Sequence, residues 1–182
     1  PRHLFVPPSY RARAYEPFPL PIGEGQTISQ PYIVAFMTQI LRLKGTDRVL
    51  EVGTGSGYQA AVASKIAAEV YSVEILDSLA ARSRQTLSDL GFRNVVVRQG
   101  DGYYGWEEKA PFDAIIITAA PERIPEPLVA QLREGGRLVV PIGARGSFQT
   151  LTLGTKRGGR LEVKEIVPVS FVPMKGEVEK KR

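Results

Sequence analysis

The residues with the clearest chemical pattern form a glycine-rich loop at Glu51–Tyr58, which reads Glu-Val-Gly-Thr-Gly-Ser-Gly-Tyr. The loop follows a short apolar run and precedes an alanine-rich stretch with helical spacing, so we expect it to join a strand to a helix. Glycines at such a turn let the backbone approach a bound ligand with no side chain in the way. The loop therefore predicts a cofactor site. Its expected cofactor-binding residues are Gly53, Thr54, Gly55, Ser56 and Gly57.

The spacing of these glycines distinguishes between two classes of ligand. A dinucleotide site spaces its glycines as G-x-G-x-x-G and seats a pyrophosphate on the helix N-terminus. This chain has G-x-G-x-G, and the acid Glu51 stands two positions before the first glycine. S-Adenosylmethionine carries no phosphate, and its methionine end has an ammonium that Glu51 can hold, directly or through water. The pattern favours S-adenosylmethionine, which leaves S-adenosylhomocysteine as product.

Two further acids are expected at the ends of the next two strands. Glu74 falls about twenty residues after the loop, where a carboxylate can accept both ribose hydroxyls of the cofactor. Asp101, followed by Gly102, comes just after the third strand, where an acid can bind the exocyclic amine of adenine. Taken singly, each acid also fits an ordinary strand end or turn. Because the carboxyl ends of parallel strands meet at one edge of a sheet, the three acids together predict one site.

The elements that position these residues are expected to alternate along the chain. Apolar runs predict strands at 48–52, 69–75, 94–98, 112–118 and 137–142, and helical spacing predicts helices at 32–43, 58–68, 76–90 and 125–132. The last two segments, 149–155 and 161–169, roughly alternate in period two, which predicts an antiparallel pair. The order predicts a Rossmann-like α/β fold: a mostly parallel, doubly wound sheet with an antiparallel C-terminal strand pair.

The length of 182 residues fits one domain, which we place at residues 1–176. Its first part, 1–31, contains prolines that forbid a continuous helix and apolar residues that need partners, so we expect an ordered loop that covers the site. Pro31 suits the first turn of a helix, and Ser29 lies near its cap. Residues 177–182 are expected to form a frayed charged tail. Because the chain begins at Pro1 without Met, we expect a trimmed form of a longer protein.

The composition excludes several kinds of site. Cysteine is absent and His3 is the one histidine, so disulfides, thiol catalysis and a metal centre are not expected. The net charge of +5 and the pI of about 9.6 permit binding to nucleic acid without establishing it. No apolar run is long enough to span a bilayer and no signal peptide is evident, so we expect a cytoplasmic protein with no membrane partner.

Segments that flank these motifs resemble signatures of the protein-L-isoaspartate (D-aspartate) O-methyltransferase family. Two of them lie early: Pro1–Pro7 reads Pro-Arg-His-Leu-Phe-Val-Pro, and Pro21–Pro31 reads Pro-Ile-Gly-Glu-Gly-Gln-Thr-Ile-Ser-Gln-Pro. The others are the glycine loop coupled to Gly-Asp-Gly, and the segments 111–115, 135–143 and 171–173. The resemblance covers essentially the whole chain, and its most specific part is Gln-Thr-Ile-Ser.

The resemblance implies a Rossmann-like core with an altered order among its last strands. It implies methyl transfer from S-adenosylmethionine to the free α-carboxylate of an L-isoaspartyl residue in damaged proteins and peptides. The methyl ester then collapses to a succinimide, which reopens partly to normal aspartate. The expected partners are isoaspartyl proteins and peptides, with no nucleic acid, and the chain is expected to be a monomer.

The resemblance also implies roles for individual residues. Ser29 is the expected active-site serine, whose hydroxyl binds and orients the acceptor carboxylate; no base is evident that would make it a nucleophile. Val172 and Pro173 are expected to bind the substrate peptide through backbone groups. A loop over the cofactor is expected to contain Ile22, Gly23, Gly25, Gln26 and Thr27. Glu24 receives no role, because an acid beside an anionic substrate is unfavourable.

Three alternatives remain at this point. A methyltransferase of the same fold acting on nucleic acid or a small molecule is supported only by the basic pI. Methylation of base amino groups would call for Asn/Asp-Pro-Pro-aromatic after the fourth strand, where this chain reads Thr118-Ala119-Ala120-Pro121. A non-catalytic binding module is disfavoured by the intact motifs, and an NAD-type oxidoreductase by the glycine spacing.

Overall fold

A computed structural model describes residues 1–144 and 146–181, which are built around a seven-stranded sheet. A hairpin of β1 (Leu20–Gly23) and β2 (Gln26–Ile28) precedes it. The sheet consists of β3 (Arg48–Val52), β4 (Glu69–Glu74), β5 (Val95–Gln99), β6 (Phe112–Ile117), β7 (Leu132–Ile142), β8 (Gln149–Arg157) and β9 (Arg160–Val169). The helices are α1 (Pro31–Leu41), α2 (Tyr58–Ala63), α3 (Asp77–Asp89) and α4 (Glu126–Gln131).

The sheet has the strand order β5-β4-β3-β6-β7-β8-β9, and the first five of these strands are parallel. Strand β8 runs antiparallel to both β7 and β9. The last three strands lie in the sheet in the same order as in the chain. The predicted fold class is therefore confirmed, including the antiparallel C-terminal pair. Between β3 and β6 the chain order reverses direction across the sheet, which is where open α/β sheets bind ligands.

Both faces of the central strands are covered, which explains their nearly continuous apolar sequence. On one face, Ile116 of β6 packs in a cluster with Met37 of α1 and Ala60 of α2. On the other face, Ile115 packs in a cluster with Leu128 of α4. The carboxyl ends of the strands are thereby held in fixed positions beneath the loops that follow them.

Several element boundaries differ from the sequence predictions. Helix α2 ends at Ala63 rather than at residue 68, and α1 ends at Leu41 because Arg42 adopts a left-handed conformation with φ of 50°. Strand β7 begins at Leu132, which the sequence pattern assigned to the preceding helix. Its pairing with β6 is interrupted by a bulge before it resumes at Arg137, and this interruption hides the strand's first residues from a period-two pattern.

The N-terminal segment contains more regular structure than the loop predicted from its prolines. Besides the β1–β2 hairpin, it forms 3-10 turns at Arg2–Phe5 and Pro8–Arg13. Its buried apolar residues share a cluster with residues of α3, so the segment is packed against the sheet's helical layer. Gln30 occupies the N-cap position of α1 and makes no side-chain capping bond, so Ser29 lies directly before the cap and is not the cap itself.

The C-terminal end also differs from a wholly frayed tail, since Glu177–Glu179 form a 3-10 turn. In the described part of the chain, no helix has the length and apolar character needed to cross a membrane.

Candidate active site

A cleft of about 580 Å³ lies over the carboxyl ends of β3, β4 and β6. Eight of the residues predicted to bind cofactor or substrate line it: Gln26, Thr27, Gly53, Gly55, Glu74, Gly102, Val172 and Pro173. Val73, Ile75 and Leu76 add an apolar wall that the sequence pattern did not single out. In its described lining, the cleft combines apolar walls with the carboxylate of Glu74 and the ammonium of Lys175.

A second pocket of about 330 Å³ adjoins this cleft. The two cavities share four lining residues, Thr27, Gly53, Gly55 and Thr118, so the first two glycines of the loop lie between them. Ser29, Thr54 and Ser56 line this second pocket. Ser29 is thus placed next to the glycine loop, on the side away from Glu74. The remaining predicted residues, Ile22, Gly23, Gly25, Glu51, Gly57 and Asp101, line neither cavity.

The first glycine of the loop is held by a close contact with the end of β6. Gly53 has a φ of 94°, and a Cβ there would collide with Thr118 Oγ1. The Thr118 hydroxyl donates to the carbonyl oxygens of Val52 at 3.0 Å and Gly53 at 2.5 Å. Only glycine permits both the backbone conformation and this approach. Thr118 is therefore a site residue that the sequence analysis missed.

Glu74 connects the end of β4 to the glycine loop. Its side chain is 5% exposed, and its Oε2 accepts a hydrogen bond from the Gly55 amide at 2.8 Å. Its Oε1 accepts from the Leu76 amide at 3.0 Å. Each carboxylate oxygen has two lone pairs, so both retain acceptor capacity towards the cleft. Glu74 can fix the loop and bind hydroxyl groups of a ligand at the same time.

Glu51 lies beneath the loop and is fully buried. Its Oε2 accepts from the Ser72 hydroxyl, which is also 2.5 Å from the Thr54 hydroxyl, so a buried hydrogen-bonded chain joins Glu51 to the loop. Burial raises the pKa of Glu51 to about 8; the Ser72 bond opposes the shift, and the negative charge of Glu74 adds to it. In the part of the chain that the structure describes, Oε1 has no hydrogen-bond partner.

Asp101 lies at the end of β5 and binds a segment far away in the sequence. Its Oδ1 accepts from the Tyr103 amide at 2.9 Å, and its Oδ2 accepts from the Glu177 amide at 2.7 Å. A Cβ on Gly176 would collide with this carboxylate. The C-terminal turn is therefore attached to the acid that was predicted to bind adenine, a contact between distant residues that no local sequence pattern could indicate.

The segment that follows β9 returns to the end of β6. The Val172 carbonyl oxygen accepts from the Ala120 amide at 2.8 Å, and the Met174 amide donates to the Ala120 carbonyl at 2.9 Å. The Gln149 side chain binds both backbone groups of Phe171. Val172 and Pro173 thus form part of the cleft wall, held by bonds on either side.

Proteins of known family are similar to this chain in sequence and in fold. The family model described as Protein-L-isoaspartate(D-aspartate) O-methyltransferase (PCMT) matches residues 1–179. The chain belongs to the protein-L-isoaspartate O-methyltransferase family. The resemblance inferred from the sequence motifs is confirmed.

Curated members of this family are similar over nearly the whole chain. A protein-L-isoaspartate O-methyltransferase 2 of Shewanella sediminis is 56% identical over 180 residues, which are 99% of this chain and 74% of that protein. A protein-L-isoaspartate O-methyltransferase of Gloeobacter violaceus is 55% identical over 177 residues, or 97% of this chain and 86% of that protein.

Solved structures of the same kind share the fold. One protein-L-isoaspartate O-methyltransferase has a TM-score of 0.91 and 34% identity; the match covers 98% of this chain and 59% of that one. A Plasmodium falciparum protein assigned to this methyltransferase class has a TM-score of 0.80 and 28% identity, with 96% of this chain and 85% of that chain covered. The latter structure is a complex with S-adenosyl-L-homocysteine.

Proposed function

We propose that this chain transfers the methyl group of S-adenosylmethionine to the free α-carboxylate of L-isoaspartyl residues in damaged proteins and peptides. One observation carries the proposal beyond family membership: two adjoining cavities meet at Gly53 and Gly55, with Glu74 in one and Ser29 in the other. This arrangement suits a reaction in which a nucleoside cofactor and an acceptor approach each other from opposite sides of one loop.

The residues around the cleft fit S-adenosylmethionine. Glu74 has acceptor capacity for ribose hydroxyls, and Gly102, which follows Asp101, lines the same cleft. The expected role of Glu51 towards the ammonium of the cofactor is kept only as an indirect one, because its carboxyl group is fully buried and is joined to the loop through Ser72 and Thr54. When bound, the cofactor supplies an electrophilic methyl group on a sulfonium. Gln26 and Thr27 cover the cleft from the N-terminal side.

The chain's own residues have to orient the acceptor rather than activate it. A carboxylate is already ionised at neutral pH, so no general base is required. The described lining of the Ser29 pocket consists of apolar and uncharged polar residues. A strong cationic clamp would stabilise the ionised acceptor more than the transition state, in which its charge is being neutralised. Ser29 donates one hydrogen bond, which directs the carboxylate, and alignment can contribute about 7–11 kcal/mol.

Recognition of the damaged protein is assigned to Val172 and Pro173, which line the cleft that adjoins the Ser29 pocket. Val172 and Pro173 lie in a segment fixed to Ala120 on one side and to Gln149 on the other. We propose that this segment offers backbone groups to the substrate peptide, because backbone recognition lets an enzyme accept many sequences.

The decisive experiment is a comparison of matched peptides. Purified protein with labelled S-adenosylmethionine is expected to methylate an isoaspartyl peptide and to spare the same peptide with normal aspartate. Base-labile methyl ester release measures the product. Equal labelling of the two peptides, or labelling of RNA while neither peptide reacts, would instead support the methyltransferase of the same fold with another substrate.

Replacement of Ser29 tests the orientation role. Ser29→Ala is expected to lower kcat by roughly 10- to 100-fold, because the acceptor loses its directing hydrogen bond. Affinity for S-adenosylhomocysteine, measured by calorimetry, is expected to change by less than about twofold, since one hydroxyl outside the cofactor cleft is removed. Ser78→Ala is the matched control, because Ser78 is an exposed serine that bonds Glu24. An unchanged kcat in Ser29→Ala would exclude the role.

A further inference from the structure

Arg2 is a fully buried arginine close to the candidate acceptor site. Its guanidinium donates to four backbone carbonyl oxygens from three parts of the N-terminal segment. Nε donates to Ser29 at 3.1 Å, one terminal nitrogen donates to Ala14, and the other donates to Phe18 at 3.2 Å and Ile28 at 3.3 Å. Four of its five N–H groups are thereby directed at main-chain acceptors.

The surroundings of this charge consist of dipoles rather than an opposite charge. Among the residues that the structure describes, none of the ion pairs includes Arg2. Burial lowers the pKa of Arg2, and the nearby Tyr58 and Tyr15 oppose the shift. A guanidinium nevertheless stays protonated at any physiological pH. A buried charge without a carboxylate partner adds little net stability, so its contribution is best sought in the geometry that it fixes.

That geometry centres on Ser29. The carbonyls of Ile28 and Ser29 belong to the two peptide groups on either side of the Ser29 Cα, and each peptide group is planar. Both accept hydrogen bonds from the same rigid guanidinium. The orientation of both planes is therefore fixed relative to one side chain, which restricts the backbone torsions of Ser29. Rotation about the Cα–Cβ bond is the main freedom left to its hydroxyl group.

We infer that Arg2 is a positioning residue that fixes the direction of the Ser29 Cα–Cβ bond and so limits the positions from which its hydroxyl can reach the methyl acceptor. The inference rests on the proposed function, in which Ser29 orients the acceptor carboxylate. It gives the 3-10 turn Arg2–Phe5 a role in aligning the acceptor. Glu74 and the glycine loop remain the residues proposed to bind the cofactor. The acceptor pocket is then complete only when Arg2 links Ala14 and Phe18 to the end of β2.

Lysine cannot make the same set of four hydrogen bonds as Arg2. Its ammonium keeps the charge but is a compact point with three donors, whereas the planar fork of arginine reaches carbonyls on several sides. Arg2→Lys is expected to leave at least one of the two peptide groups beside Ser29 without its bond. The matched control is Arg13→Lys in the same segment, because the Arg13 side chain is 52% exposed and pairs with Glu16.

The test measures kcat, KM for an isoaspartyl peptide and affinity for S-adenosylhomocysteine in both variants. Arg2→Lys is expected to lose about 10- to 100-fold in kcat, the size of effect that a misaligned reacting group produces. Its affinity for S-adenosylhomocysteine is expected to stay within about threefold of the original chain. Arg13→Lys is expected to match the original chain in all three. An unchanged kcat in Arg2→Lys would overturn the inference, and so would a parallel loss of activity and S-adenosylhomocysteine binding, because Arg2 would then support the whole fold.

A second readout separates this inference from the proposed function. Amide hydrogen exchange of the segment 26–31 is expected to become faster in Arg2→Lys and to stay unchanged in Arg13→Lys, whatever the substrate proves to be. If the original chain failed to methylate the isoaspartyl peptide, the proposed function would fall, while faster exchange confined to this segment would still support the positioning role. Unchanged exchange would overturn that role even in an active enzyme.

Discussion

At the scale of single residues, the site depends on polar groups whose burial cannot be recognised from the sequence alone. Glu51 was expected to hold the cofactor's ammonium, directly or through water; it lies buried below the glycine loop and is joined to the loop through Ser72 and Thr54. A carboxylate in this position resists ionisation, because water is excluded from both of its oxygens. The protonation state of Glu51 should therefore influence the stability of the free protein.

Glu51→Gln is expected to change how stability depends on pH. The ordinary pKa of 4.5 is raised to about 8, so the stability provided by protonated Glu51 is complete below about pH 4.5 and is lost as pH rises towards 8. Between about pH 5.5 and 7.5, the original chain should lose up to about 1.4 kcal/mol per pH unit relative to Glu51→Gln. Urea unfolding of both proteins at several pH values measures this difference; parallel pH dependences would contradict it.

At the scale of elements, the C-terminal turn is bonded to the acid that is proposed to bind adenine. The Glu177 amide occupies one oxygen of Asp101, and Gly176 approaches the same carboxylate with a φ of 101°. Lys175 lines the cleft just before this turn. The turn thus fixes the side chain that is proposed to bind adenine, although it contributes no regular strand or helix to the sheet.

Gly176→Ala is expected to weaken S-adenosylhomocysteine binding by about tenfold, because the new Cβ must displace the Asp101 carboxylate. Gly158→Ala is the control: Gly158 also has a positive φ, of 58°, but a Cβ there would meet nothing within 4 Å. Both substitutions strain the backbone, and only the first brings a Cβ against the Asp101 carboxylate. Calorimetric titration of both variants measures the difference. Equal affinities would show that the turn is independent of the cofactor site.

The limits of prediction from sequence also appear at this scale. Strands such as β6 were located because their apolar runs are long and bounded, and the glycine loop because strand, turn and helix follow in order. The start of β7 was hidden by its bulge. The bonds of Asp101 to Glu177 and of Arg2 to Ser29 join residues that are distant in sequence, so periodicity and propensity contain no information about them. For Arg2, the one indication in the sequence was its charge within an apolar, proline-rich segment.

At the scale of the whole molecule, residues from nearly the full length of the described chain meet at the carboxyl edge of the sheet. The cleft takes residues from the N-terminal hairpin, from β3 and β4, and from the segments that follow β5, β6 and β9. We propose that residues 1–176 form one domain on this ground, since the buried clusters include residues from Phe5 to Met174. A ligand in the cleft would then stabilise the molecule as a unit.

S-Adenosylhomocysteine is accordingly expected to raise the unfolding temperature. At a hundredfold excess over its Kd, a ligand of the native state adds about 2.7 kcal/mol, which corresponds to roughly 5–10 °C for a chain of this size. Gly55→Val is expected to abolish the shift, because Gly55 has a φ of 54° and lines both cavities. Scanning calorimetry with and without the ligand measures it; a full shift in Gly55→Val would place the ligand elsewhere.

The distance in sequence between Asp101 and Glu177 has a consequence for biosynthesis. As the chain leaves the ribosome, the glycine loop and its strand emerge early, but the partner of Asp101 emerges only when synthesis has passed residue 177. A nascent chain can therefore form much of the sheet before Asp101 has its bond to the C-terminal turn. Competence to bind the methyl donor should therefore arrive only after residue 177 has been made.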